Sequence, residues 1–260
     1  MFSFNSLKVF FSINTILHSL AFIEYSLFST SLVDNIIGTI IRNYTILSFI
    51  DYKIKDKEDI NTRIIPKERF IGEFFLFFLS TSILEGFTTY YVENNIINFR
   101  NTNYLYDIID FVPLSLLFEI IFDLIHYSTH RLLHNPLLYT YIHKIHHKHN
   151  HPTSIIAFYQ HPLDILITNS IPFITACFCL NNKMSYYQFK LLLIYKIFIE
   201  ISGHTGKKIN SCSFTQFIWI VKYLNIELTT ENHDFHHTKN NCNYSKRFSL
   251  FDKLFRTFRK

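Results

Sequence analysis

The chain is poor in the residues that staple a small domain or hold an organic cofactor. It has four cysteines in 260 residues, Cys177, Cys179, Cys212 and Cys242, and no two form a CxxC pair. A disulfide framework is therefore not indicated, and the four read as free thiols in a reducing compartment. Glycines number five, and no G-x-G-x-x-G nucleotide fingerprint or H-P-G-G haem motif occurs. The N-terminus is apolar from Val9 onward but lacks a small-residue cleavage site, which reads as an uncleaved anchor rather than a secretory signal. No internal repeat or low-complexity block is evident. The formal charge of +5 comes without a recognised nucleic-acid motif, so nucleic acid is excluded as a partner and a membrane-facing basic surface is the expectation.

Apolar surface is what the chain has in abundance. Hydrophobic residues make up 48% of it and aromatics 18%, collected in runs that read as bilayer-embedded helices. The runs are Val9–Leu27, Phe70–Tyr91, Ile108–Ile125, Ile165–Leu180 and Phe189–Ile201, with a weaker one at Val33–Ile50. Some carry carboxylates: Glu73 and Glu85 in the second, Asp110 and Glu119 in the third. Asp51–Arg69 alternates charge signs and reads as a solvated loop. The expected fold class is all-α, with about four to six membrane helices under a cytosolic histidine-rich cap that encloses a dimetal centre.

The chemistry is written in the histidines. Of 14, only His18 precedes position 126; nine fall between His126 and His161, and the others are His204, His233, His236 and His237. His126, His130 and His134 stand four apart, which on a helix puts the imidazoles on one face. His143, His146 and His147 form an HxxHH box, and His233, His236 and His237 repeat it. Imidazole suits zinc, copper, iron and nickel alike, but about nine histidines are enough for two ions with four or five ligands each. No cysteine lies in the boxes, and zinc cannot change oxidation state; two iron ions are the expectation for a protein surrounded by hydrocarbon. The hydrophobic hairpin over residues 165–201 would return His204 and the third box to the face that holds the first two. Arg131, Lys144, Lys148, Lys207, Lys208, Lys246, Arg247, Arg256, Arg259 and Lys260 are read as lying on that side, which the positive-inside rule makes cytosolic.

Five segments carry a family resemblance: DLIHYSTHRLLH (123–134), LYTYIHKIHHKHNHPT (138–153), YQHPLD (159–164), GHTG (203–206) and NHDFHHTKNNCNYSKRFSLFDKLFRT (232–257). Together they resemble the fatty acid hydroxylase/sterol desaturase superfamily, most of all its C4-methylsterol oxidase and cholesterol hydroxylase branches. The resemblance implies His130, His134, His143, His146, His147, His233, His236 and His237 as metal ligands, with His204 as the isolated histidine after the hairpin and His161 as a candidate tenth. It also implies O2 as oxidant, and electrons from NAD(P)H through cytochrome b5 or a reductase. Residues 106–260 would form the catalytic domain and residues 1–105 an anchor region. Three departures stand out. Phe251 and Arg256 replace the Trp and Gly of a closing W-D-x-x-F-G-T, Thr205-Gly206-Lys207 follows His204 in place of Ser-Gly-Tyr, and Asp164 stands where Glu is common.

Outside the boxes, His126, Asp123, Glu200 and Asp234 are expected to orient ligand imidazoles, while His149 and His151 read as loop histidines. The implied function is O2-dependent oxidation of an unactivated lipid C–H bond, with a sterol favoured and a fatty acid or sphingolipid as the alternative. The implied location is the endoplasmic reticulum membrane if the host is eukaryotic, with the site toward the cytosol. Two rivals remain: a histidine-rich metal transporter, and an inactive relative that scaffolds a lipid-synthesis complex.

Overall fold

Each apolar run folds as a helix, the form that satisfies its own backbone N–H and C=O groups without water. The computed structural model describes residues 4–60, 71–209 and 213–260. Its long helices are α1 (Phe4–Leu27), α2 (Leu32–Ile54), α3 (Ile71–Asn95) and α4 (Tyr104–Leu133). After the short α5 (Pro136–Tyr141) come two 3-10 turns, His143–Lys148 and Ser154–Phe158. Next, α6 (Pro162–Ile165) passes through a π turn at Leu166–Ser170 into α7 (Ile171–Cys179), and α8 (Tyr186–Gly203) follows. The chain closes with α9 (Ile218–Tyr223), α10 (Thr230–Lys239) and α11 (Leu250–Leu254). Among the described residues there is no strand, only two isolated bridges.

Two of these stretches, Ser6–Leu27 and Pro162–Cys179, are long and apolar enough to cross a membrane. The loop expected at Asp51–Arg69 begins later than its charges imply, because α2 continues to Ile54; residues 61–70 lie outside the described residues.

The middle of the bundle is α8, buried from Tyr187 to Ser202 and packed by α1, α2 and α4. A helix covered on every side cannot leave its charges bare. Lys190 accordingly meets Glu93 at 2.7 Å, and Lys196 meets Glu85 at 2.7 Å. On α2, Arg42 meets Glu24 of α1 at 2.6 Å. The α2–α3 contact is close at Gly86, where a Cβ would sit 2.8 Å from the Ile36 Cα.

Two of the basic residues expected on the cytosolic side turn inward: Arg247 is buried and pairs with Glu119 at 2.8 Å, and the half-buried Lys246 pairs with Glu200. Asp123 explains why. Its carboxylate accepts the backbone N–H groups of Lys246, Arg247 and Phe248 at 2.8, 2.9 and 3.0 Å, drawing that loop down onto α4.

Candidate metal centre

The site lies where α4 and α8 end. α4 supplies His126, His130 and, as its C-cap, His134; α8 ends on His204. The 3-10 turn carries His143, His146 and His147, and α10 carries His233, His236 and His237. These nitrogens converge in two groups, one of His130, His134, His143, His147 and His236 and the other of His146, His204, His233 and His237. Within each group the facing nitrogens are all within 4.8 Å of one another. The two groups adjoin, with the rings of His147 and His237 4.7 Å apart.

Each HxxHH box is shared between the groups instead of serving one. His143 and His147 face the first group while His146 faces the second; His233 and His237 face the second while His236 faces the first. On α10 adjacent residues point about 100° apart while residues four apart share a face, and in the 3-10 turn adjacent residues point about 120° apart. One box can therefore reach two centres.

The hydrogen bonds fix several tautomers. Nδ1 of His130 donates to the Tyr244 carbonyl at 2.8 Å, that of His204 to the Glu200 carbonyl at 2.8 Å, and that of His236 to the Cys242 carbonyl at 2.7 Å. His143 Nδ1 donates to the Asp164 carboxylate at 2.7 Å. With the proton on Nδ1, Nε2 keeps a bare lone pair. Yet Nε2 of His143 is 3.0 Å from Nε2 of both His130 and His147, and Nε2 of His233 is 2.9 Å from that of His204. Nε2 of His134 and of His236 has no protein partner among the described residues. Lone pairs brought face to face in a buried site call for a shared cation, and an all-imidazole donor set fits iron, copper, nickel or zinc.

Burial keeps these rings in the neutral form that binds metal. It pushes the imidazole of His134 down to about 2, that of His236 to about 3 and that of His204 to about 4. His236 and His143 lower His134 further, whereas the Glu200 charge and carbonyl oppose the shift at His204.

Beside the groups lies a small cavity lined by His126, Gln160, Thr168 and Lys246 as well as ligand-side histidines. Thr168 belongs to the π turn, and its carbonyl accepts from His126 Nδ1 at 2.6 Å. Insertions of this type recur at functional sites because they re-aim one side chain without ending the helix.

His161 is not brought to either group, and the expectation of a tenth ligand there is corrected. It caps α6, its Nδ1 accepting the Leu163 N–H at 3.2 Å. The expected orienting residues act differently too. Asp123 holds backbone instead of an imidazole, Glu200 serves His204 through its carbonyl, and Asp234 approaches His151 at 3.4 Å. The carboxylate that does orient a cluster imidazole is Asp164, noted in the sequence only as a departure from Glu. Its position three residues after His161 was the available signal. Asp252 was likewise legible only as part of the closing motif; it accepts the N–H groups of Tyr244 and Ser245, each at 2.9 Å, and so holds the carbonyl that His130 needs.

With this geometry in hand, comparisons with known proteins agree. Residues 115–257 match the family model described as fatty acid hydroxylase. A C-4 methylsterol oxidase of Schizosaccharomyces pombe is 31% identical over 144 residues, covering 54% of this chain and 45% of the relative. Methylsterol monooxygenase 1 of Rattus norvegicus is 31% identical over 138 residues, 53% of this chain and 44% of the relative. A fatty acid hydroxylase from a Lecanicillium species is 30% identical over 149 residues, 54% of this chain and 40% of the relative. The match thus spans less than half the length of these relatives. No solved structure matches.

Proposed function

Because this chain belongs to the fatty acid hydroxylase family, we propose that it is a multi-pass membrane oxidoreductase that uses two histidine-held iron ions and O2 to oxidise a C–H bond of a lipid. The observation that carries this reading is the pair of adjoining imidazole groups, five and four, with nitrogens converging inside each. His130, His134, His143, His147 and His236 would hold one ion and His146, His204, His233 and His237 the other. A bound iron pair would supply the activation of O2 that an unactivated C–H bond demands.

The chain's own residues do the rest. Asp164 and the carbonyls of Glu200, Cys242 and Tyr244 aim the rings by accepting hydrogen bonds from their Nδ1–H groups. His126, its Nδ1 proton committed to Thr168, presents a bare Nε2 beside the cavity, and Gln160 lines the same wall. Lys246, paired with Glu200, lines the same chamber.

A sterol is the favoured substrate, since two of the relatives above are named for methylsterols. The Lecanicillium relative, named a fatty acid hydroxylase, keeps a fatty acyl substrate as the second reading. Residues 106–260 would be the catalytic domain and residues 1–105 the anchor region. The cap would face the cytosol, in the endoplasmic reticulum if the host is eukaryotic, where cytochrome b5 or a reductase would deliver electrons from NAD(P)H. The test is NAD(P)H-dependent O2 uptake by the protein reconstituted with cytochrome b5 and its reductase, given a 4-methylsterol and, separately, a fatty acyl lipid. Uptake with neither, in protein carrying both metals, would end the proposal.

A further inference from the structure

Glu85, in α3, collects three donors: Lys196 Nζ at 2.7 Å, Asn169 Nδ2 at 2.8 Å and Asn43 Nδ2 at 2.9 Å. Two amide nitrogens committed to one carboxylate turn both amide oxygens away from it. Neither Asn43 Oδ1 nor Asn169 Oδ1 has a protein partner among the described residues, although both residues are buried. Arg42 Nε is in the same condition, while its Nη1 and Nη2 are taken by Glu24 at 2.6 Å and Thr39 at 2.9 Å. All three residues line one cavity between α2, α3, α7 and α8, walled on the apolar side by Phe173 and Leu193.

Buried amide oxygens without a donor are costly, and the cost is greatest where no water competes. Two fixed acceptors and one N–H donor around a small cavity complement a particular group. A carboxylate or phosphate would meet two amide oxygens and Glu85. An ammonium would meet Arg42 and Lys196. An O–H group can donate to an amide oxygen and accept from the guanidinium at once. We propose that this cavity is a hydroxyl-binding site, taking either the alcohol of a lipid or a water molecule.

Its position gives the lipid alcohol a purpose. Asn169 and Ser170 line this cavity, and their neighbour Thr168 lines the chamber beside the histidines, so a single π turn separates the two. An alcohol held on one side would fix which carbon of the same lipid enters the other. That purpose rests on the lipid-oxidation reading; the hydroxyl site does not.

The experiment compares a sterol 3-alcohol with its 3-O-methyl ether, binding each to the full-length, metal-loaded protein in nanodiscs. A lipid-alcohol site predicts roughly tenfold tighter binding of the alcohol, since the ether cannot donate. Asn169→Leu should erase that preference and leave the metal content unchanged. If the two lipids bind alike, but a high-resolution map has an oxygen-sized density bridging Asn43 Oδ1 and Asn169 Oδ1, the site holds with water as its ligand. Equal binding with no such density overturns the proposal. The wild-type comparison decides even if Asn169→Leu does not fold. Failure here with intact sterol oxidation counts against this site alone. Failure of metal binding or oxidation counts against the functional reading instead.

Discussion

Asp164 accepts a hydrogen bond from the Nδ1–H of His143 at 2.7 Å, and the opposite nitrogen of that ring stands 3.0 Å from Nε2 of both His130 and His147. One carboxylate thus sets the tautomer and the aim of the ring around which the first imidazole group closes. Asp164→Asn should lower apparent metal affinity roughly 10–100-fold, the usual cost of losing an outer carboxylate on a ligating histidine. A chelator competition would measure it. Metal retention equal to wild type would mean that His143 needs no such support.

The split of each box predicts which ion each histidine governs. His147→Ala should deplete the ion of the five-histidine group and His233→Ala that of the four-histidine group, each bringing the content of about two ions per chain toward one. His161→Ala, which alters only a helix cap, should keep both. Elemental analysis of the three proteins decides. Equal loss in all three would refute the assignment.

Asp123 tests whether the loop over α4 is part of the site. Asp123→Ala abandons two buried N–H groups and one half-buried one, and should cost about 3 kcal/mol. With the loop goes the Tyr244 carbonyl that orients His130. The variant should therefore melt earlier in detergent and also lose metal. Normal melting with normal metal content would show the loop to be held by Asp252 and Arg247 alone.

Acid sensitivity follows from the depressed imidazoles. In the metal-free protein, His134, His236 and His204 titrate at about 2, 3 and 4 when folded, against 6.5 when unfolded. The unfolded chain binds protons first, so this stability is present above pH 6.5 and is lost as the pH falls below it. Each group contributes up to about 1.4 kcal/mol per pH unit, and His204 ceases to contribute below about 4. Melting of the metal-free protein from pH 7.5 to 5 should fall steadily below about 6.5; a flat profile would contradict the buried neutral rings.

A tag at the C-terminus and one in the loop between His134 and His143 should report the same side of the membrane in sealed vesicles, since in the proposed topology both flank the histidine groups. Opposite protease protection would separate groups that must meet. Glycosylation cannot serve as the marker. Asn43 and Asn243 both begin acceptor sequences, yet both are buried, Asn243 donating to the carbonyls of Asn232 and Arg259.

Much of this protein was legible from its residues. The apolar runs determined that it would be helical, and the spacing of nine histidines in three boxes and one isolated position pointed to the metal site that the two imidazole groups would form. Periodicity works there because both signals are local: a run of about 20 apolar residues, or imidazoles four apart, means the same thing whatever the rest of the chain does. Tertiary structure decided which histidine serves which group, that His161 caps a helix, and that Asp164 orients a ring. It also decided that Lys246 and Arg247 turn inward, against Glu200 and Glu119. These choices depend on distances between residues far apart in the chain, such as Asp123 and Arg247. Charge spacing cannot reveal them, because a lysine reads as surface until a buried carboxylate is found to face it.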